Sequence, residues 1–374
     1  MNEERAYWLA WSQISGVGAV LLGRIKAHFG SLSAAWTAPP DELAEIEGIG
    51  LSTASGIGAE RLNLNPVYLL ETHEKRNGCF VTPADREYPK ILLEIPDAPP
   101  VLYYRGQSSL LTLFDRRCAI AIVGTRHPSD YGRRWTRKLS ATLAQNGFSV
   151  ISGLADGIDA EAHRSCIEAG GTTIAVLGTG VDVVYPWTNR KLYDQLLETG
   201  LALSEYPAGT QPDRAHFPRR NRIAAGLSRA VLVIEAPTRS GALITANLAN
   251  DYGRDVYALP GSLDNEKAKG CLALISKGAQ IVLGEAELLE MLGTLPVLDQ
   301  SAQATQLPLD LSPELAQVLQ TIQQISQTSN HPAIPLDLII QQSEMPTATV
   351  TGSLLQLEML GLVVQVPGMR YQIS

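Results

Sequence analysis

Residues 118–153 read CAIAIVGTRHPSDYGRRWTRKLSATLAQNGFSVISG. An apolar run closes on Gly124, a polar turn follows, a stretch of helical character covers Arg133–Asn146, and a second apolar run closes on Ser152-Gly153. Continuous apolar, β-branched runs joined through a helix predict parallel strands covered on both faces. Five further runs repeat the pattern: TTIAVLG (172–178), LALSEY (201–206), AVLVIEA (230–236), DVYALPG (255–261) and AQIVLG (279–284), with a second helical stretch at Gly241–Tyr252. Most runs end in Gly, Ser or Pro, which let backbone approach a ligand at the carboxyl edge of the sheet.

Outward from this block the pattern changes. Met1 to about Gly78 reads as helical, punctuated by ISGVGAVLLGRI and IEGIGLSTASGI. Each punctuation resembles a helix-hairpin-helix turn, which can hold a DNA phosphate on free N–H groups. Two copies also resemble a sterile-alpha-motif bundle. Nine acids against six bases over this stretch favour plain helix packing. Ala84–Gln107 is proline-rich and reads as an irregular connector. Beyond Leu292 lies a Pro/Gln/Ala linker, then SPELAQVLQTI, PLDLIIQQS and PTATVTGSLLQLEML as three helices and GLVVQVPGMRYQI as a hairpin. Three helices and a wing resemble a winged helix, whose third helix commonly reads DNA. Here that helix has no Lys or Arg, and Leu311 onward holds four acids and one base, so a packing or protein-contact module is expected. The expected class is α/β: a Rossmann-like, mostly parallel sheet with helices on both faces, flanked by a small helical N-terminal domain and a winged-helix-like C-terminal domain. The boundaries are 1–80, 81–292 (81–117 as entry segment), 293–311 as linker and 312–374.

Composition narrows the class. A 45% hydrophobic, 18% charged chain of 374 residues is an ordinary packed protein of two or three domains. No apolar run reaches the ~18 residues of a membrane span. The start MNEERAYWLAW lacks the basic region of an export signal. Cys79, Cys118, Cys166 and Cys271 are scattered without ligand spacing, which points to free thiols in a reducing cytoplasm and to no structural zinc.

Against a net charge of -8, Arg214–Arg229 (RAHFPRRNRIAAGLSR) holds five arginines and no acid. Guanidinium suits phosphate, so this segment is expected to hold an anion. Arg116–Lys138 adds seven bases against Asp115 and Asp130. Gly124 and Gly132 are too far apart for G-x-G-x-x-G, the second strand ends in Ser152-Gly153 rather than an acid, and no P-loop is present. No nucleotide cofactor is therefore expected. The Gly124-Thr125-Arg126 turn offers N–H groups, a hydroxyl and a guanidinium to one phosphate. Ser152 and Gly153 at the end of the second run are also expected to contact nucleic acid, as are Ser240 and Gly241, which open a helix and can present N–H groups. Phe217 stands between Arg214 and Arg219, an interleaving that suits single strands. Asp159 and His163 share a helix face, where capping and a local hydrogen bond are preferred to acid/base work. Glu235 is expected to orient an arginine of the FPRRNR segment. Tyr185 and Trp187 offer a stacking surface or loop packing.

Together AIVGTRHPSDYG, VISGLADGIDAEAH, GTTIAVLGTGVDVVYP, LSEYPAG, HFPRRNRIAAGLS, LVIEAPTRSGALITA, GRDVYALPGS and KGCLALISKGAQIV resemble the DNA-processing protein A family (DprA, also Smf) of bacterial natural transformation. The resemblance covers nearly the whole chain. It implies a non-enzymatic, dimerising mediator that binds and shields single-stranded DNA and loads the RecA recombinase. On the matching positions it places Gly124, Thr125 and Arg126 at the phosphate-gripping turn, Arg214 and Phe217 beside the strand, and Arg219, Arg220, Asn221 and Arg222 in the FPxRNR signature. KGCLALISKGAQIV falls where members of the family pair. Asp156 stands where the family usually has Arg, and Thr125 where Ser is usual. The alternatives are a nucleoside-monophosphate phosphoribohydrolase-like enzyme using Glu235 at the glycosidic bond, which lacks its P-G-G-x-G-T motif, and a winged-helix regulator.

Overall fold

A computed structural model describes residues 3–116, 118–293, 312–328, 334–343, 345–359, 363–366 and 369–373. The chain divides into two compact units, Met1–Val297 and Leu298–Ser374.

In the first unit the seven anticipated runs all form strands: β3 (Ala119–Val123), β4 (Ser149–Ser152), β5 (Thr173–Leu177), β6 (Leu201–Ser204), β7 (Ala230–Val233), β8 (Asp255–Ala258) and β9 (Gln280–Ile281). They pair in parallel. Two more strands precede them, β1 (Phe80–Val81) and β2 (Leu102–Gly106), giving the order β1-β2-β6-β5-β4-β3-β7-β8-β9. β2 runs antiparallel to β6. The connector expected to be irregular thus contains a strand. Its LYYRG carries aromatic β-formers, and the prolines that disguise it lie just before the strand rather than inside it.

Burial explains the layering. Along β3, Ala119, Ala121 and Val123 enter one hydrophobic cluster while Ile120 and Ile122 enter another. The period of two sends alternate side chains to opposite faces, and both faces are covered. On one side lie α7 (Asp130–Gln145), α8 (Ile158–Glu168), α9 (Arg190–Thr199) and α13 (Glu285–Leu292). The other carries α10 (His216–Leu227), α11 (Gly241–Asp251) and α12 (Lys269–Ser276). α7 shows how a basic sequence still packs. Thr136, Leu139, Ser140 and Leu143 are buried on one stripe, and Arg133, Arg134, Arg137 and Lys138 stay exposed on the other.

The N-terminal segment forms α1 (Glu3–Ser12), α2 (Ala19–Phe29), α3 (Leu32–Thr37), α4 (Pro40–Leu43), α5 (Leu51–Leu62) and α6 (Pro66–Asn77) around Trp11, Leu22, Ile25 and Ile57. A second cluster joins Ala6, Leu9 and Leu70 of these helices to Phe80, Val101, Tyr103 and Val181 of the sheet unit.

The second unit contains α14 (Pro313–Thr328), β10 (Ile334–Pro335), α15 (Leu336–Ser343), α16 (Thr347–Met359), β11 (Val363–Val366) and β12 (Arg370–Ile373), three helices and a small antiparallel sheet as anticipated. Residues 294–311 of the expected linker lie outside the described residues. No helix among the described residues is long and apolar enough to cross a membrane.

Candidate nucleic-acid interface

The chain moves from β3 outward through β4, β5 and β6, then returns across the sheet to β7 on the other flank of β3. Connections leave β3 and β7 in opposite directions, which opens a crevice beyond their carboxyl ends. There a cleft of 670 Å³ is lined by Gly124, Thr125, Arg126, Arg214, Phe217, Arg220, Asn221, Arg239, Ser240 and Gly241, together with His127, Tyr185 and Thr245.

Three cations in it are free. The side chains of Arg126, Arg214 and Arg239 are exposed and make no hydrogen bond or ion pair among the described residues. The Arg126 guanidinium lies 5.9 Å from the centre of the Phe217 ring. Tyr185 stands on the same ring's flank, with centroids 5.6 Å apart and planes 32° from parallel. Arginine beside an aromatic pair forms a ledge on which a flat π-system can stack while a neighbouring anion is held.

Beneath the cleft lie two buried charged groups, Arg220 and Asp159, that feel each other's charge without closing to an ion pair. Arg220 is 5% exposed, and its Nη1 donates to the Val176 carbonyl. Asp159 accepts from the N–H groups of Gly153 at 3.1 Å and Ala155 at 3.4 Å. Desolvation lowers the Arg220 pKa to about 10, opposed by Asp159, while burial raises the Asp159 pKa, opposed first by Arg220. Gly153 is required here: a Cβ on it would strike the Arg220 guanidinium. Gly157, at φ +82, lets the loop before α8 lie against the Gly-Thr-Arg turn, where a Cβ would come within 2.5 Å of the Thr125 and Arg126 carbonyls.

The anticipated site residues therefore divide. Gly124, Thr125, Arg126, Arg214, Phe217, Asn221, Ser240 and Gly241 meet in one cleft. Arg220 forms its buried floor. Ser152 is fully buried and donates to the Ile122 carbonyl at 2.6 Å, tying β4 to β3. Arg219 and Arg222 face a different cleft on the far side of α10. Arg222 is half-buried there, donating to Glu205 at 2.6 Å with Asp97 at 3.6 Å. The reason is helical spacing: Phe217, Arg220 and Asn221 share one face of α10, Arg219 and Arg222 another.

Several donors expected to be free are occupied. The Thr125 N–H donates to the Glu235 carbonyl at 2.7 Å, and the Thr125 hydroxyl accepts from the His127 N–H at 3.2 Å. Ser240 caps its own helix through the Ala242 N–H at 3.3 Å, and Asn221 donates to the Gly241 carbonyl at 3.3 Å. No arginine pairs with Glu235 among the described residues. At 2% exposure its carboxylate accepts from the N–H and hydroxyl of Ser129, the cap of α7, and from Asn265 at 3.4 Å. Glu235 is not among the residues that line the cleft. His163 does not meet Asp159; its Nδ1 bonds the Thr173 hydroxyl at 2.6 Å, and burial lowers its pKa to about 3. Asp156 accepts from Thr188 at 3.1 Å at the rim. Trp187 is 71% exposed with Arg190 over its ring, outside the cleft lining. Of the Arg116–Lys138 cluster, Arg126 lines the cleft and the four bases of α7 do not. Sequence reasoning passed over Arg239 and His127. The signal for Arg239 was its place directly before the capping Ser240.

A family model described as DNA recombination-mediator protein A matches residues 79–293, over half of the chain. The chain belongs to the DprA/Smf family. A second model, the DprA winged helix domain, matches residues 302–369. Protein Smf of Synechocystis sp. is 48% identical, covering 99% of both chains. Among solved structures, DprA of Streptococcus pneumoniae superposes with a TM-score of 0.66 at 36% identity over 76% of this chain and 97% of that one. A Helicobacter pylori structure, described as showing the single-stranded DNA binding mode of DNA processing protein A, gives a TM-score of 0.52 at 31% identity, covering 57% of this chain and 95% of that one.

Proposed function

We propose that this chain binds and shields single-stranded DNA in the β3/β7 cleft and helps load the RecA recombinase onto it during DNA uptake and recombination. It acts as a non-catalytic, cytoplasmic homodimer. The observation that carries the reading is the juxtaposition of Arg126, Arg214 and Arg239, without a hydrogen bond or ion pair among the described residues, with the Phe217–Tyr185 ledge. Guanidiniums suit a phosphate backbone of any sequence, and stacking on an open ledge requires an unpaired base. The H. pylori relative, described by its single-strand binding, supports the assignment of ligand. Pairing of two copies is supported by the sheet edge β9, where Ile281 and Leu283 are exposed. Two cores would double the groove and raise affinity through avidity.

Fluorescence anisotropy with labelled single-stranded and duplex oligonucleotides over a salt series tests the binding reading. Tight, salt-sensitive binding with preference for the single strand is expected, with log affinity falling linearly in log salt. No binding at low salt overturns it. Loading is read separately, as the rate of RecA filament assembly on the coated strand with and without the protein.

A further inference from the structure

The largest cavity among the described pockets is not the cleft above. It measures 960 Å³ and lies between the start of α2, the end of α6 and the other face of α10. Its wall carries Arg76 and Arg219, both exposed and without a hydrogen bond or ion pair among the described residues, and Arg222, whose Nη1 is buried with no partner. The acids in the wall are engaged in part: the second Glu205 oxygen, Oε1, is buried without a partner among the described residues. Glu205 accepts from Arg222, and Asp97 accepts from Tyr252 at 2.7 Å with Arg222 beside it. The opposite wall adds neutral donors. α2 starts after Gly18, which supplies no side-chain cap, and its first helical bond is Leu22 N–H to the Gly18 carbonyl at 3.0 Å. The amides of Ala19, Val20 and Leu21 precede that bond, and these residues line the cavity.

We propose that this cavity is a second phosphodiester-binding cleft, taking the continuation of the strand that occupies the β3/β7 cleft. The inference rests on the single-strand reading above and extends it to a site made jointly by the N-terminal helices and α10. Two guanidiniums unpaired among the described residues, an orphaned guanidinium N–H and the start of α2 line one space, and the phosphates of a strand are the ligand that suits them. α10 is the wall common to both clefts. Its Phe217 and Asn221 face one side and its Arg219 and Arg222 the other, so a strand passes between the clefts over about one helix diameter, ~10–12 Å. The N-terminal helices, acidic overall with nine acids against six bases, then touch DNA at this one place only.

The test uses the full chain with oligothymidylates of about 6 and about 16 nucleotides, bracketing the site sizes of single-strand grooves. Arg76→Glu reverses a cleft charge. Val20→Glu puts a carboxylate in the first turn of α2, where the helix dipole favours it, so folding is preserved while the anion is repelled. Each variant is expected to weaken the long oligonucleotide about five- to tenfold, to weaken the short one less than about twofold, and to shallow the long oligonucleotide's salt slope by about 0.7 per lost phosphate contact. Variants that treat both lengths alike, unchanged or equally weakened, overturn the second cleft and leave the first in place. Failure of the parent chain to bind either length is a different result, and it overturns the single-strand reading together with this extension.

Discussion

Two sets of arginines in this molecule look alike in composition and differ in every physical respect. Arg126, Arg214 and Arg239 rim the β3/β7 cleft, exposed and without an ion pair among the described residues. Arg220, Arg222 and Arg254 sit inside the framework: Arg220 against Asp159 and the Val176 carbonyl, Arg222 against Glu205, Arg254 against Glu94 at 2.7 Å and the Ile91 carbonyl at 3.2 Å. The first set can exchange water for a ligand anion at little cost. The second is committed, because each of its guanidiniums is largely buried and would be stranded in a low dielectric without its acceptors, even where the partner acid, as with Glu94, is itself exposed. Burial of the guanidinium, rather than density of arginine, separates binding from architecture here.

The sharpest way to break this division is Arg220→Ala. It leaves Asp159 buried without its countercharge and is expected to cost about 3–5 kcal/mol of stability, read by urea unfolding. Asp159→Asn in that background should recover part of the loss. An Arg220→Ala protein as stable as its parent, with impaired DNA binding, would move Arg220 into the first set. Next in size is a framework effect tied to pH. Folded His163 stays neutral to a pKa of about 3, whereas an unfolded imidazole takes a proton near 6.5. Between those values the unfolded chain holds more protons, so stability falls as pH falls from about 6.5 toward 3, by up to about 1.4 kcal/mol per pH unit. His163→Gln should flatten that limb of the stability curve and leave DNA affinity at pH 7 unchanged. An unaltered acid limb would show that another group governs it.

For the cleft set, Phe217→Ala is expected to cost about 1–3 kcal/mol of single-strand affinity by anisotropy, with Phe217→Tyr retaining most of it. Equal losses on duplex and single strand would remove the stacking role. Smallest is the contrast of Arg126→Ala with Arg133→Ala. The first should weaken all sequences alike by roughly 1 kcal/mol and shallow the salt slope by about 0.7, the second should change neither. If Arg133→Ala matches Arg126→Ala, the strand runs along α7 instead.

The sheet was legible because its seven parallel strands are uninterrupted apolar runs punctuated by glycine. β2 was not, since LYYRG is short, alternates little and follows a proline-rich approach. The Gly-Thr-Arg turn and Phe217 could be placed from the rule that ligands meet the carboxyl ends of such strands. The sorting of Arg219, Arg220 and Arg222 could not. It depends on which face of α10 each occupies and on Asp159 and Glu205, acids supplied by other elements of the sheet unit. The same holds for Glu235, whose carboxylate turned to Ser129, a residue with no charge to advertise the pairing.

The apolar contact of Ala6, Leu9 and Leu70 with Phe80, Val101 and Tyr103 bears on how the protein can be dissected. A chain begun at residue 81 would start inside β1 and lose the helical cover over that end of the sheet. β2 would become the outermost strand, its unpaired backbone and bared aromatics a template for pairing between molecules. Truncates of that kind would report precipitation rather than the contribution of the missing helices, and surface substitutions are the cleaner instrument for the first 77 residues.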